Sequence, residues 1–233
     1  MMWLVFDVDG VLIDVSESYD LATKLTAEHF LRRRGIHVEI DLELIRELRR
    51  KGSFGDDFKV SEALVAGAVS GDLEKFVENF PPGEGIGWVR ERFGAHVDPR
   101  EVEEYFNSLY LGELWRRERP LVDVNLLRRA MDRFKVGVIT GRSREEVRLA
   151  EVILGIRFER FVCREMARKP DPKALEILLG DDQDIGFYVG DTVNDELLVL
   201  NYVRRTRRPF GFLMVGRDVE DVNEVLEIFS SVD

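Results

Sequence analysis

Short apolar segments recur along the chain, and each is long enough for one β-strand. Five of them are rich in β-compatible residues: 2–8, 135–140, 157–163, 185–190 and 210–216. Near-continuous apolar runs are typical of strands covered on both faces, as in a parallel sheet. The pattern therefore predicts a buried parallel sheet rather than a half-exposed antiparallel one.

The stretches between these segments have helical spacing and clear helix start signals. Ser143 with Glu146 three residues later forms a capping box, and Asp171 stands before Pro172, which suits the first turn of a helix. Strands that alternate with helices of this length predict an α/β fold with a doubly wound parallel sheet.

One long segment breaks this alternation. Residues 15–119 contain no convincing strand but several helical patterns, for example Leu21 with Leu25 and the start at Asp98 and Pro99. We expect a helical insert over 15–119 and a sheet domain built from 1–14 and 120–233. The insert would leave the sheet near the carboxyl end of the first strand, where open α/β sheets bind ligands.

Composition and charge exclude some classes of partner. The chain has 233 residues, 45% of them hydrophobic and 34% charged, with a formal net charge of −11. An acidic protein has no general electrostatic attraction for nucleic acid or anionic membrane, so we expect neither as a partner. No apolar run approaches the ~20 residues of a membrane span, and the start lacks the basic region of a signal peptide, so we expect a cytoplasmic protein.

Two acidic pairs follow predicted strands. Asp7 and Asp9 end the first strand before Gly10, and Asp191 and Asp195 follow the fourth. Asp7 and Asp9 alone would more often be a solvated turn at the end of a strand. Together, at the ends of parallel strands, they would converge on one crevice, where like charges ~4 Å apart repel by about 4 kcal/mol at an effective dielectric of ~20. A cation must balance them, and Mg²⁺ favours carboxylate and phosphate oxygens.

Two further segments end strands with groups suited to phosphate. Thr140 and Gly141 precede a capped helix, whose free N–H groups and dipole favour an anion. Lys169 lies between the third strand and its helix, although a lone lysine is ordinarily a surface residue. Arg142 either meets a second anionic group of a substrate or faces solvent.

The four motifs in this order resemble the haloacid dehalogenase superfamily: "DVDGVL" at 7–12, "TGR" at 140–142, "KP" at 169–170 and "GDTVND" at 190–195. The likeness covers the sheet domain from end to end. A helical cap inserted after the first motif is similar to the branch of phosphoglycolate phosphatase and β-phosphoglucomutase. The segment 201–210 departs from the family, because it lacks a small-residue turn before the fifth strand.

The resemblance implies a role for each acidic residue. Asp7 would attack phosphorus, and Asp9 would protonate the leaving oxygen and then activate water. Asp7, Asp9 through its backbone carbonyl, and Asp191 would hold Mg²⁺. Asp195 would complete this acidic set by orienting a metal-bound water or the lysine.

The resemblance also implies which groups position a substrate. Lys169, Thr140 and the N–H of Gly141 would neutralise and orient the transferring phosphoryl oxygens. In the cap, the loop at 50–58 corresponds to a segment that meets the substrate in related enzymes, so Lys51 and Ser53 are candidate contacts. An ordinary loop between helices is an equal alternative.

These observations favour a Mg²⁺-dependent phosphatase for a small phosphorylated metabolite of the phosphoglycolate kind. Asp9 argues against a dehalogenase, which lacks the second acid. A phosphomutase and, less favoured, a non-catalytic binding protein stay open, and a phosphonatase would need a cap lysine such as Lys24, Lys51 or Lys59. Either a monomer or a homodimer is compatible with the sequence.

Overall fold

The computed structural model describes residues 1–231 and divides the chain into two compact units. The sheet unit consists of Met1–Asp14 and the described residues from Glu118 onward. The helical unit is Val15–Arg117. The chain thus leaves the sheet unit once, after Asp14, and returns to it at Glu118.

The sheet unit contains seven short strands: β1 (Trp3–Phe6), β2 (Ile13–Asp14), β3 (Arg119–Pro120), β4 (Lys135–Ile139), β5 (Phe161–Val162), β6 (Gly186–Gly190) and β7 (Gly211–Met214). Five of them form one parallel sheet in the order β5-β4-β1-β6-β7. β2 and β3 form a separate antiparallel pair. The sheet confirms the predicted fold class.

Helices account for most of the remaining structure. The helical unit contains α1 (Ser16–Arg32), α2 (Leu42–Lys51), α3 (Asp57–Val69), α4 (Leu73–Glu78), α5 (Ile86–Phe93), α6 (Pro99–Gly112) and a 3-10 turn at Leu114–Arg117. The sheet unit contains α7 (Val124–Arg133), α8 (Arg144–Leu154), α9 (Lys173–Leu179), α10 (Val193–Thr206) and α11 (Val222–Ser231).

Strand β1 lies at the centre of the sheet, and all four of its residues are buried. Phe6 pairs with Val138 of β4 on one side and with Val189 of β6 on the other. Because these strands are parallel and in this register, the residues that follow their carboxyl ends emerge at the same edge of the sheet.

Two local features differ in detail from the sequence prediction. The strand expected over 157–163 is only two residues long. Helix α8 is followed by Gly155 in a left-handed conformation, and the N–H of Phe158 binds the Glu151 carboxylate instead of a neighbouring strand. Helix α9 begins one residue later than expected, although Asp171 still accepts a hydrogen bond from the N–H of Lys173.

The helical unit has a hydrophobic core of its own, to which α1, α3 and α6 contribute. The buried carboxylate of Asp20 binds Arg46 and Arg49, so α1 and α2 are joined by ion pairs as well as by apolar contacts. Among the described residues, no helix is long and apolar enough to cross a membrane.

Candidate active site

Asp7 is the first residue after β1, and the strand's hydrogen bonding fixes its backbone. Its N–H donates to the carbonyl of Val189 in β6 at 2.9 Å. The side chain is only 5% exposed; its Oδ1 accepts from the N–H of Val8 at 2.7 Å, and its Oδ2 accepts from Lys169 Nζ at 2.6 Å. The carboxylate is therefore held at the edge of the sheet next to a cation.

Lys169 bridges two acidic residues of the site. Its Nζ also donates to Asp195 Oδ1 at 2.7 Å, so one ammonium group joins the residue after β1 to a residue of α10. The loop that carries the lysine is anchored from α10 as well, because the Asn201 side chain donates to the carbonyl of Pro170 at 3.1 Å. Residues distant in sequence thus fix the position of the lysine.

Asp195 is fully buried in the first turn of α10, where it forms a capping box with Thr192. Its Oδ2 accepts from the N–H and the hydroxyl of Thr192, at 3.0 and 2.6 Å. Its Oδ1 accepts from Lys169 and from the hydroxyl of Tyr188, the latter at 2.9 Å. Both oxygens are thus used by the protein, so this carboxylate is placed to hold the lysine.

The ionisation of these groups reflects burial and mutual repulsion. Burial raises the pKa of Asp7 to about 8, and the nearby Asp195 and Asp9 add to the shift while Lys169 opposes it. Burial, with a contribution from Asp195, also raises the pKa of Asp191 to about 6. Burial alone would lower the pKa of Lys169, but Asp7 and Asp195 outweigh it and hold that pKa above its ordinary value. Lys169 is therefore a cation. The raised pKa values of Asp7 and Asp191 indicate that this one cation does not balance the acidic groups, so further positive charge would favour their ionised forms.

The acidic cluster fits a divalent metal ion. Carboxylate oxygens of Asp7, Asp191 and Asp195 all lie within 4.8 Å of one another. Hard oxygen donors of this kind suit Mg²⁺. Asp195 accepts four hydrogen bonds, from Lys169, Tyr188 and Thr192, whereas Asp7 accepts two. The carboxylates of Asp7 and Asp191 are therefore the better placed of the three to bind a metal ion directly.

Asp9 contacts an arginine that the sequence did not pair with it. Arg142 Nε donates to Asp9 Oδ1 at 2.7 Å, and Arg142 Nη2 lies 2.7 Å from the same oxygen. Arg142 Nη2 also donates to Glu118 Oε2 at 2.7 Å. The arginine side chain is completely buried, so it does not face solvent, and direct contact with a substrate anion would require these pairs to break. Its predicted role as a substrate contact stays a prediction.

Thr140 and Gly141 lie between β4 and α8, as the sequence predicts. Thr140 is 2% exposed, and its Oγ1 accepts from the backbone N–H of Arg142 at 3.1 Å, which leaves the hydroxyl proton for another acceptor. Gly141 is exposed. The predicted capping box of α8 is present, with Ser143 and Glu146 as its members.

The remaining predicted site residues, Lys51 and Ser53, belong to the helical unit. Lys51 Nζ donates to the carbonyls of Val77 and Glu78, at 3.0 and 2.8 Å, and pairs with Glu47 at 2.7 Å. Ser53 is exposed. Their contact with a substrate stays a prediction.

Three partners of the site residues were not identified from the sequence. Thr192 carried a usable signal, because a threonine three residues before Asp195 is a capping pattern. Tyr188 is a polar group inside an apolar strand, which is a weaker signal. Glu118 carried none, since it is one charged residue in the run "RRER".

Comparison with known proteins assigns the chain to a family. Residues 1–198 match the model of the haloacid dehalogenase-like hydrolases, so the chain belongs to that family of enzymes. It is 56% identical to the phosphatase Tt82 from Thermococcus thioreducens, with all of both chains covered and a TM-score of 0.91. These two findings support phosphatase as the class of enzyme.

Two more distant proteins are also similar. A protein assigned as a phosphoglycolate phosphatase from Lactobacillus delbrueckii is 15% identical, with 97% of this chain and 96% of that one covered and a TM-score of 0.57, a likeness of fold alone. A NAD kinase from Methanothermobacter thermautotrophicus is 27% identical over 117 residues, or 48% of this chain. The match spans only 41% of the kinase, so it adds nothing about activity.

Proposed function

We propose that this protein is a Mg²⁺-dependent phosphatase that hydrolyses a small phosphorylated metabolite of the phosphoglycolate kind through a phosphorylated Asp7. One observation carries the proposal: a buried carboxylate at the end of the central strand is in direct contact with a lysine and lies near Asp9 and Asp191. The identity of 56% to a phosphatase along the whole chain supports the same reaction.

In the first step, an oxygen of Asp7 attacks phosphorus, and the bond between phosphorus and the ester oxygen breaks. Asp9 gives its proton to the leaving oxygen, so the product departs as a neutral alcohol. Lys169 and the hydroxyl of Thr140 neutralise and orient the phosphoryl oxygens, which is the main catalytic task in phosphoryl transfer.

In the second step, Asp9 takes a proton from water, and the water oxygen attacks phosphorus. The bond between phosphorus and Asp7 breaks, inorganic phosphate leaves, Asp7 returns to a carboxylate, and Asp9 again carries the proton that it needs for the next cycle. Asp195 keeps Lys169 in place in both steps.

Asp7, Asp191 and the backbone carbonyl of Asp9 are the groups that would hold Mg²⁺. Bound there, the ion would supply positive charge that keeps Asp7 ionised and offsets the charge of the phosphoryl group. We further propose that the helical unit acts as a cap that selects the substrate, with Lys51 and Ser53 as its candidate contacts.

Phosphate release from a panel of small phosphate esters tests the proposal. Wild-type protein is assayed with Mg²⁺ and with EDTA, beside Asp7→Asn and the control Asp132→Asn, which changes an exposed aspartate of α7. We expect release that requires Mg²⁺, is unchanged in the control, and falls by at least about 1,000-fold in Asp7→Asn, because the nucleophile is lost.

The same panel distinguishes the alternatives. A sugar phosphate that isomerises without release of phosphate would replace the phosphatase with a phosphomutase. No reaction with any ester in the presence of Mg²⁺ would contradict both enzymatic functions, and full activity of Asp7→Asn would contradict the proposed nucleophile.

A further inference from the structure

Arg142 is an unusual residue for the edge of an active site, because it is a large cation that is completely buried. Its guanidinium lies between two carboxylates, Asp9 with 29% of its side chain exposed and Glu118 with none. Burial of a charge is costly unless an opposite charge is close to it, and here the protein supplies a carboxylate on each side of the guanidinium. The group is therefore built into the site and is not a mobile surface side chain.

The far side of the guanidinium is fixed as firmly as the side that meets Asp9. Glu118 accepts from Nη2 at 2.7 Å, and the backbone carbonyl of Glu146 in α8 accepts from Nη1 at 3.3 Å. The arginine backbone is also held, since its N–H binds Thr140 and its carbonyl accepts from the N–H of Arg164. The guanidinium therefore faces the proposed reaction centre through the edge that contacts Asp9.

We propose that Arg142, held by Glu118, is a positioning residue that keeps the carboxyl group of Asp9 in the orientation required for proton transfer. This inference rests on the proposed function, because it assigns Asp9 the role of general acid and base. Arg142 does not act on the substrate itself. It acts by restricting the rotation of Asp9.

Three features support a positioning role. Asp9 follows the end of β1, in a turn where a short side chain would otherwise rotate, while a general acid must lie within hydrogen-bond reach of its target. Arg142 contacts one oxygen, Oδ1, through two nitrogens. An arginine does not give up its proton at working pH, so it can orient a proton carrier without competing for the proton.

The effect of Arg142 on Asp9 can be separated from loss of the fold by the choice of leaving group. An alkyl phosphate needs a proton on its leaving oxygen, whereas p-nitrophenyl phosphate releases a stable anion that needs none. Arg142→Met, Glu118→Gln and the double variant are compared with wild type on glycerol phosphate and p-nitrophenyl phosphate with Mg²⁺. Arg148→Met is the matched control, since Arg148 is an exposed arginine of α8 paired with Glu151. The double variant leaves no unpaired buried charge at position 118, so it serves if Arg142→Met does not fold.

We expect Arg142→Met to lower kcat on glycerol phosphate by about 10-fold to 100-fold, with KM changed by less than about twofold. This loss is smaller than the full contribution of a general acid, about 100-fold to 10,000-fold, because Asp9 itself is retained. On p-nitrophenyl phosphate, Arg142→Met should give a rapid burst of about one p-nitrophenolate per protein followed by slow turnover, because phosphorylation of Asp7 needs no acid but water attack needs Asp9. Glu118→Gln should show the same pattern to a smaller extent, and Arg148→Met should match wild type.

Equal losses on both esters together with loss of the burst, in folded variants, would overturn the inference and leave Arg142 a structural residue. A rise in KM with kcat unchanged would also overturn it and would make Arg142 a substrate contact. If the wild type releases no product from either ester, the proposed function itself fails. If the wild type is active but Arg142→Met loses the same activity on both esters and shows no burst, only the role of Arg142 fails.

Discussion

At the scale of single residues, the site depends on one cation shared by two buried carboxylates. Lys169 lies 2.6 Å from Asp7 and 2.7 Å from Asp195, and a lysine so placed remains protonated because both acidic groups favour its charged form. The contact with Asp7 also favours the ionised form of this carboxyl group, the proposed nucleophile, since the lysine opposes the rise in its pKa that burial causes. The contacts of Lys169 with the two carboxylates therefore fix both the position of the lysine and the ionisation of the groups around it.

Replacement of this lysine tests its role. Lys169→Met should lower kcat on phosphate esters by at least about 100-fold, the loss usual for a donor that stabilises developing negative charge. The control is Lys173→Met, which changes an exposed lysine four residues later and should leave kcat within about twofold of wild type. Steady-state phosphate release measures both, and circular dichroism verifies the fold. Activity of Lys169→Met within about threefold of wild type would contradict the role given to the lysine.

The residues that the sequence could locate are those placed by the strands themselves. Asp7, Thr140 and Asp191 each follow an apolar run, and the ends of parallel strands meet at one edge, so their proximity follows from the pattern. The position of Arg142 could not be predicted, because a long side chain goes where its partners are. Those partners, Asp9 and Glu118, are 133 and 24 residues away along the chain.

At the scale of secondary structure elements, the turn after β1 decides where the acidic groups lie. Gly10 has a φ of +75°, a conformation that residues with a side chain rarely adopt. A Cβ at this position would lie 2.2 Å from Asp191 Oδ2. The turn and the carboxylate after β6 thus occupy adjoining space, and only glycine allows both.

Gly10→Ala should therefore impair activity more than its backbone strain alone would. We expect a loss of ~1–2 kcal/mol in the free energy of unfolding from the positive φ, and a further cost from displacement of Asp191. Because Asp191 is a proposed metal ligand, phosphate release should fall by at least about 10-fold, and the Mg²⁺ concentration for half-maximal activity should rise.

The matched control is Gly155→Ala at the end of α8. Gly155 has a φ of +60°, but a Cβ there would meet only Arg128 Nη2 at 3.6 Å, an ordinary contact. This variant should lose ~1 kcal/mol of stability with the Mg²⁺ requirement unchanged. Urea unfolding and Mg²⁺ titration of activity measure both variants. An unchanged Mg²⁺ requirement in Gly10→Ala would show that the turn does not position Asp191.

The strands show which parts of the fold can be predicted from the pattern of apolar residues. Near-continuous apolar runs such as β1 were recognisable because both of their faces are buried. The pair β2 and β3 was not predicted, because each strand has only two residues and such a length carries no periodicity. The pair joins β2, where the chain leaves the sheet unit, to β3, where it returns.

At the scale of the whole molecule, the acidic site carries a cost that depends on pH. The pKa of Asp7 is about 8 in the folded protein, compared with 3.8 for an ordinary aspartate. Between these values the folded state binds more protons than the unfolded state, so the free energy of unfolding falls as pH rises. Asp191 acts in the same direction, with a pKa of about 6. The hydrogen bond from Lys135 lowers the pKa of the half-buried Asp182 to about 2, so this group is ionised in both states above about pH 5 and adds no slope there.

Thermal unfolding of the metal-free protein should show this slope. Between about pH 5 and about pH 8, wild type should lose more stability than Asp7→Asn, which cannot ionise at this position. One unit of pKa shift corresponds to about 1.4 kcal/mol, or about 4 °C in Tm for a chain of this size, so a difference of at least several degrees is expected. His29, whose pKa burial lowers, has the opposite slope, but it is present in both proteins and cancels in the comparison.

Added Mg²⁺ should reverse the loss, because the metal ion and protons compete for Asp7 and Asp191. The rise in Tm on addition of Mg²⁺ should therefore be small at about pH 5, where the carboxyl groups hold protons, and largest at about pH 8. In Asp7→Asn the rise should be smaller at each pH. If the stability of wild type and Asp7→Asn changed equally with pH, the pH dependence would arise from groups other than Asp7. If the effect of Mg²⁺ on Tm did not depend on pH, the ion would bind away from these carboxylates.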